Sequence, residues 1–269
     1  MRFSIYLNTG LPGPDDDLDT IDTTTAQAVL ADQHGFAGVC IGEHAGGGGD
    51  PFLFAAFLAP QIYQAQLVLR LAEPTLRDRI RCARSRATLD LLTRGGCLIG
   101  GPAAGSLEGT TLREGDSDEA IIATARDGRA LLTHCGTVGE TARAWVLYNA
   151  AFDRAGHPET TTAFARTWTM ARALVYVGDT DASAADEVPW MSAEPARTMI
   201  VGGPDTVARA IEEHRAAGIG HLLLSFRFGR LNPALAGRSL RCFIDEVLPR
   251  FTHPVQAAES LAASAIAQG

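Results

Sequence analysis

The sequence predicts one α/β domain folded as a (β/α)8 barrel of the TIM type. Short apolar segments typical of buried strands alternate with longer amphipathic segments typical of helices, which indicates parallel strands joined by crossover helices. Seven such strands are evident, and the segment 109–115 would be the eighth. A chain of 269 residues with 46% hydrophobic residues has the size of one such barrel. A doubly wound open sheet is the structural alternative.

The elements follow from apolar patterning and from turn residues at their ends. The predicted strands are 2–7, 37–44, 66–72, 96–101, 109–115, 130–135, 170–179 and 221–229. The predicted helices are 23–35, 51–60, 75–96, 118–128, 137–156, 204–218 and 238–251. The helix 204–218 shows both end signals, since a proline opens its first turn and a glycine closes it. We expect one barrel domain over 1–252, followed by an alanine-rich tail at 253–269.

The connection between the fourth and fifth strands is unusually short. Only PAAGSLE, residues 102–108, separates Gly101 from Gly109. A right-handed parallel crossover needs about 10–12 residues including its helix. The sequence therefore predicts a barrel without its fourth helix, truncated and irregular or open between strands 4 and 5.

Composition disfavours several classes of function. The net charge is −8 and every basic residue is an arginine, which argues against nucleic acid or anionic membrane as the main partner. The five cysteines are widely spaced without a CxxC pair, so neither a zinc ribbon nor a disulfide scaffold is indicated. We expect no metal site. The N-terminus does not resemble a signal peptide and no apolar segment could span a membrane, so we expect a cytoplasmic protein.

The pair Glu43-His44 lies where the second strand meets its loop. Barrel enzymes carry their chemistry at the C-terminal ends of the strands. A neutral imidazole there can act as a general base near pH 7, whereas Glu43 can equally be a buried ion-pair partner. The glycines at 46–49 do not form a phosphate loop, because a chain without lysine cannot complete GxxxxGK[ST]. His134, after the sixth strand, either lines the cavity or is a loop histidine.

Several segments, taken in order, resemble the luciferase-like monooxygenase family, the flavoproteins that include bacterial luciferase. They are GFAGVCIGEH at 35–44, the segment 76–105, the segment 116–158 with its Ala-Gly-His-Pro ending, and MIVGGPDTVARAIEEHRAAGIGHLLLSF at 199–226 followed by 239–251. In this family a histidine at the position of His44 belongs to the active site. The resemblance therefore implies a catalytic role for His44, with Glu43 beside it.

The resemblance also implies a flavin phosphate site at Asp116-Ser117. These residues match an acidic-serine pair that helps to hold the phosphate in this family, although Ser117 can equally be an ordinary helix N-cap. The arginine that usually follows strand 4 is missing from GGPAAG at 100–105. Arg113 and Arg227 are candidate substitutes, and the alternative is that both are surface charges.

The activity implied by the resemblance is that of a flavin-dependent oxidoreductase or monooxygenase. It would use oxygen and reduced FMN, either bound to the protein or supplied by a partner reductase, to oxidise a small organic substrate. A deazaflavin cofactor stays open, and a homodimer is expected because the segment 51–60 is apolar all round. Two alternatives remain. One is a degenerate relative that binds a flavin derivative or a hydrophobic metabolite without redox turnover, and the other is a cofactor-free enzyme on the same scaffold.

Overall fold

The computed structural model describes residues 1–8, 17–42, 49–71, 76–102, 111–134, 136–189, 199–228 and 231–251. Its strands are β1 (Arg2–Asn8), β2 (Gly38–Gly42), β3 (Gln66–Arg70), β4 (Cys97–Pro102), β5 (Leu112–Glu114), β6 (Ala130–Thr133), β7 (Met170–Val177), β8 (Met199–Gly202) and β9 (His221–Ser225). Its α-helices are α1 (Asp17–Gln33), α2 (Pro51–Leu58), α3 (Leu76–Leu92), α4 (Asp118–Arg126), α5 (Val138–Ala155), α6 (Glu159–Trp168), α7 (Asp181–Glu187), α8 (Pro204–Ala216) and α9 (Pro233–Cys242). The predicted tail 253–269 lies outside the described residues.

Eight of these strands close into a parallel barrel. The ring runs from β1 to β7 and returns to β1 through β9, with every neighbouring pair parallel. The closure is visible where Arg2 pairs with His221 and where Ala171 pairs with Leu222. The predicted (β/α)8 barrel is confirmed, and the open doubly wound alternative is wrong.

The ninth strand, β8, lies outside the ring. It pairs with the C-terminal half of β7, from Leu174 to Val177, whereas β9 pairs with the N-terminal half of the same strand. The sequence did not predict β8, because its four residues lead directly into the start of α8. β8 therefore extends the wall of the barrel at the end where β7 leaves the ring.

The wall between β4 and β5 is closed, so the prediction of an opening there is wrong. Gly100 pairs with Leu112 and Pro102 pairs with Glu114, and β5 continues to β6. β4 ends at Pro102, and β5 begins at Leu112, which is level with Gly100. The start of β5 is therefore only about two strand residues, roughly 7 Å, below the end of β4 along the barrel axis. β5 is also truncated to three residues. The connection 103–110, where the missing helix was predicted, lies outside the described residues.

Two layers of side chains hold the barrel together. Outward-facing apolar residues pack under the helices, and four phenylalanines join β1 and β9 to the C-terminal helical segment through ring contacts of 5.3–6.1 Å. They are Phe3, Phe36, Phe226 and Phe243. Inward-facing residues such as Tyr6, Val68, Leu112 and Leu223 form a separate interior cluster. The alternation along each strand thus decides which side chains can reach the mouth.

A buried histidine closes the N-terminal end of the barrel. The Nδ1 of His221 lies 2.9 Å from the carbonyl oxygen of Thr167, which can only accept, so Nδ1 carries the proton. Ser4 Oγ then donates to Nε2 at 2.8 Å. Burial lowers the pKa of His221 to about 4, which keeps the ring neutral. This arrangement is structural, because it lies at the end of the barrel opposite the mouth.

In the part of the chain that the structure describes, none of the helices is both long enough and apolar enough to cross a membrane.

Candidate active site at the barrel mouth

Ionisable side chains converge at the C-terminal ends of three neighbouring strands and their loops. Arg70 ends β3 and Glu114 ends β5, each two residues after a member of the interior cluster, so both face inward. His134 directly follows β6, and Asp116 follows β5 by two residues. These four residues, the mouth network, occupy the end of the barrel where TIM-type enzymes place their chemistry.

Arg70 and Glu114 form a bidentate ion pair inside the barrel. Arg70 Nη2 donates to Glu114 Oε2 at 2.8 Å, and Arg70 Nε contacts Oε1. Glu114 is 6% exposed and Arg70 23%. The pair crosses β4 at Gly100, which has no side chain to separate the partners. Burial raises the pKa of Glu114, but the hydrogen bonds from His134 and Arg70 lower that pKa by more than burial raises it. The net pKa is below the usual value, so the carboxylate stays ionised.

His134 lies between two carboxylates. Its Nδ1 is 2.5 Å from Asp116 Oδ2, its backbone N–H donates to Asp116 Oδ1 at 3.0 Å, and its Nε2 is 3.4 Å from Glu114 Oε2. The hydrogen bond with Glu114 raises the pKa of His134, and burial opposes that effect only in part. Because both ring nitrogens face carboxylate oxygens, the site favours the imidazolium, a proton donor at the barrel mouth.

We expect the free energy of unfolding to depend on pH through His134. A raised folded pKa means that its stabilisation is fully present below the unfolded pKa of about 6.5 and is lost as pH rises through the folded pKa. In urea denaturation, the stability difference between the wild type and His134→Gln should be larger at pH 6 than at pH 9. The exposed His34, replaced in the same way, is the control. An equal difference at both pH values would contradict the assignment.

Below the mouth network, Tyr6 and Arg172 contact each other inside the barrel. The guanidinium carbon of Arg172 is 3.8 Å from the Tyr6 ring centroid. The Tyr6 hydroxyl and ring fill the space that a Cβ on Gly42 would need, so Tyr6 points toward the end of β2. Burial raises the pKa of Tyr6, with Arg172 opposing, and burial raises the pKa of Cys40 to about 12. Both groups therefore stay protonated, and Cys40 is not a nucleophile.

The predicted catalytic pair Glu43 and His44 lies outside the described residues. Its starting point is fixed, because Gly42 ends β2 at the level of Asn8 and Arg70 in the neighbouring strands. Gly42, the last described residue before the pair, lies against the Tyr6 hydroxyl. The catalytic assignment of Glu43 and His44 stays a prediction.

Ser117 and Asp116 lie together at the start of α4. Ser117 is the N-cap of this helix, and its Oγ accepts from Ala120 N at 3.2 Å. Asp116 is held by His134, and Asp118 in the first turn pairs with Arg143 of α5 at 2.6 Å. The carboxylates on either side of Ser117 therefore each have a cationic partner.

The two predicted phosphate arginines are not brought to Ser117. Arg113 faces outward on β5, and its Nη1 is 2.5 Å from Asp127 Oδ2 just beyond the last turn of α4, the opposite end of the helix. Arg227 follows β9 and is half-buried; it lies three strands around the ring from β5. Their role in cofactor binding stays a prediction, and the geometry of Arg113 favours a structural ion pair instead.

Sequence reasoning missed Arg70, Glu114, Arg172 and Tyr6 as site residues. The signal was present, because each is a polar side chain at an inward position of a strand, in the alternation set by the apolar members of the interior cluster. His134 contacts Asp116 and Glu114, and its role in lining the cavity stays a prediction. Within the described ranges, no group of three or more His, Cys, Asp or Glu residues is arranged to hold a metal ion.

Comparison with known proteins bears on the family and on the fold. The model of the luciferase-like monooxygenase family matches residues 1–104. The structure of the monooxygenase RslO1 from Streptomyces bottropensis is similar with a TM-score of 0.76 and 20% identity, covering 94% of this chain and 100% of that chain. The oxygenating constituent of 3,6-diketocamphane monooxygenase from Pseudomonas putida, a type II Baeyer-Villiger monooxygenase in complex with FMN, gives a TM-score of 0.72 and 17% identity, covering 94% and 100%.

A coenzyme F420-dependent tetrahydromethanopterin reductase from Methanopyrus kandleri gives a TM-score of 0.71 and 13% identity, covering 93% of this chain and 99% of that chain. At these identities the similarity shows the fold. The search of curated proteins found no matching sequence. The resemblance to the luciferase-like monooxygenase family is thus confirmed by the family's own sequence pattern over residues 1–104, and the solved structures share the barrel fold.

Proposed function

We propose that this protein is a flavin-dependent oxidoreductase that acts as a monooxygenase on a small organic substrate at the barrel mouth. The observation that carries the proposal is the mouth network, Arg70–Glu114–His134–Asp116, at the catalytic end of a barrel whose first 104 residues match the luciferase-like monooxygenase family. Proteins of the same fold that are described with FMN or F420 support a flavin-type cofactor.

The start of α4 fits a flavin phosphate. A helix N-terminus attracts an anion through its free N–H groups and dipole, and Ser117 adds a hydroxyl. The acids nearest to Ser117 would repel a phosphate if they were unpaired, but Asp116 is paired with His134 and Asp118 with Arg143. His134 and Arg143 therefore supply the positive charge that the missing arginine after strand 4 provides in the family. We infer that Ser117 and the first turn of α4 hold the phosphate of FMN.

Each residue of the mouth then has a defined task. A reduced flavin, when bound, would supply the two electrons that reduce one atom of O2 to water while the other atom enters the substrate. Arg70 fixes the Glu114 carboxylate, and Glu114 and Asp116 orient His134 and keep a proton on its ring. His134 can release that proton to a developing negative charge at the mouth. His44, with Glu43, is the proposed second proton-transfer group.

The proposal is tested by flavin titration followed by turnover. Fluorescence titration of the purified protein should show binding of FMN, with riboflavin binding more weakly and F420 separating the deazaflavin alternative. Ser117→Ala should weaken FMN binding about tenfold, the loss of one charge-assisted hydrogen bond, without changing riboflavin binding. His44→Ala should keep binding and lose oxygen consumption. A protein that binds none of these flavins, in either redox state, would refute the proposal.

A second candidate, flavin binding without turnover, is favoured by the truncation of β5 to three residues. Tight flavin binding with no oxygen consumption across a panel of aldehydes, ketones and sulfur compounds would select it. Turnover that needs no flavin would select the cofactor-free enzyme.

The partners and assembly of the enzyme are proposals as well. A separate reductase would supply the reduced flavin. Leu53 and Phe57 lie on the surface of α2, 70% and 52% exposed, which supports a homodimer through this helix. The expected cytoplasmic location stays a prediction.

A further inference from the structure

Arg172 is a guanidinium inside the barrel that has no carboxylate partner among the residues the structure describes. It occupies an inward position of β7, level with Leu223, and its side chain is half-buried. Its Nε is buried and makes no hydrogen bond, and among the described residues no acid lies within ion-pair distance of it. The contact that the structure gives its charge is the ring of Tyr6, 3.8 Å from the guanidinium carbon.

This arrangement is unfavourable for stability alone. Arginine stays charged in proteins, and desolvating a charge without a partner costs more than one cation–π contact returns. The nearby Glu114 does not compensate, because both of its oxygens are engaged by Arg70. Counted over the described residues, the interior below the mouth therefore carries an excess positive charge, of the kind that an anionic ligand would neutralise.

We propose that Arg172 and the Tyr6 hydroxyl form an anion subsite that binds a carboxylate group of the substrate. The Tyr6 ring lies against one face of the guanidinium, and the Nε–H on its edge is buried without an acceptor, which a carboxylate entering from the mouth would supply. That edge carries two parallel N–H groups and matches a planar carboxylate in a bidentate contact. The Tyr6 hydroxyl, directed toward Gly42 and the mouth, is a further donor on the entry side.

The subsite would define the substrate class of the proposed oxidation. The assignment of the bound carboxylate to a substrate therefore rests on the proposed function. It predicts small organic acids whose carboxylate enters first, so that the part to be oxidised lies at the mouth network. The phosphate of FMN is the other anion that a guanidinium could take. We assign the phosphate to Ser117, which belongs to α4 rather than to the barrel interior.

The test uses benzoate and benzamide, which have the same shape but differ in charge, with the cofactor-free protein in isothermal titration calorimetry. The wild type should bind benzoate at least about tenfold more tightly than benzamide, and Arg172→Met should abolish that preference. The matched control is Arg166→Met, since Arg166 is 70% exposed on α6, and it should keep the preference. Tyr6→Phe should weaken benzoate alone, by several fold.

Arg172→Gln provides a second variant if Arg172→Met does not fold. Equal affinity of the wild type for the two probes, or a benzoate preference that survives both Arg172 variants, would overturn the proposal. Weaker FMN binding by the Arg172 variants with riboflavin unchanged would instead assign Arg172 to the phosphate and overturn the substrate assignment. The probes need no flavin, so this result stands apart from failure of the proposed oxidoreductase activity.

Discussion

Replacing Glu114 with alanine should lower the free energy of unfolding by about 3 kcal/mol, the cost typical of removing one partner from a buried ion pair. The change leaves Arg70, 23% exposed inside the barrel, without its bidentate acceptor. It also removes one of the two carboxylates that hold His134. Urea denaturation near neutral pH, followed by far-ultraviolet circular dichroism, measures the loss.

Two comparisons isolate the buried pair. The double variant Arg70→Met with Glu114→Leu should be clearly more stable than Glu114→Ala, because no unpaired charge is left in the interior. Glu212→Ala removes a solvent-exposed partner of Arg215 on α8 and should change stability little. A double variant as unstable as Glu114→Ala would show that the loss comes from packing rather than from charge.

Replacing Gly42 with alanine should cost about 2 kcal/mol, which is typical of overpacking in a filled core. The added Cβ would overlap the hydroxyl and the ring of Tyr6. Tyr6 cannot withdraw freely, because it is 4% exposed and the Arg172 guanidinium covers its ring. The same denaturation measurement gives the cost, and near-ultraviolet circular dichroism should report the displaced tyrosine.

Rescue and a matched glycine test the cause. Tyr6→Leu should restore much of the stability of Gly42→Ala, since the overlapping atoms are gone. Gly139→Ala places a Cβ near the start of α5 where no atom lies within 4 Å, so no loss is expected. If Gly42→Ala matched the wild type in stability, the close approach of Tyr6 to β2 would be disproved.

Local patterning predicted the barrel because each strand carries its own signal. The apolar segment 66–72 is observed as β3 at Gln66–Arg70, and the weak segment 109–115 is observed as β5 at Leu112–Glu114. β8 was missed because its four residues, directly before a helix, are too few to show an alternation of apolar and polar residues that distinguishes a strand from a turn. The alternation around Leu112 also places Arg113 outside, which explains its pairing with Asp127.

The mouth network could be predicted only in part. An arginine at an inward position of β3 is visible in the sequence, but its partner Glu114 is 44 residues away and is chosen by the register of β3, β4 and β5. The acids around Ser117 appear in the sequence as groups that would repel a phosphate, because their partners are also distant along the chain. Their cations, His134 and Arg143, arrive from β6 and α5 and become partners only when the barrel closes.

The three-residue β5 has a consequence for local opening of the barrel wall. So short a ladder contributes few backbone hydrogen bonds to each neighbour, and such segments open locally at a lower free energy than the rest of a domain. The ion pair of Glu114 with Arg70 reaches across β4 to β3, and the contact of Asp116 with His134 reaches the end of β6. Backbone amides should therefore exchange with deuterium first at this wall. The exchange rate should follow the protonation of His134. The acid–base state of the mouth is thereby coupled to the local opening of the wall beside it.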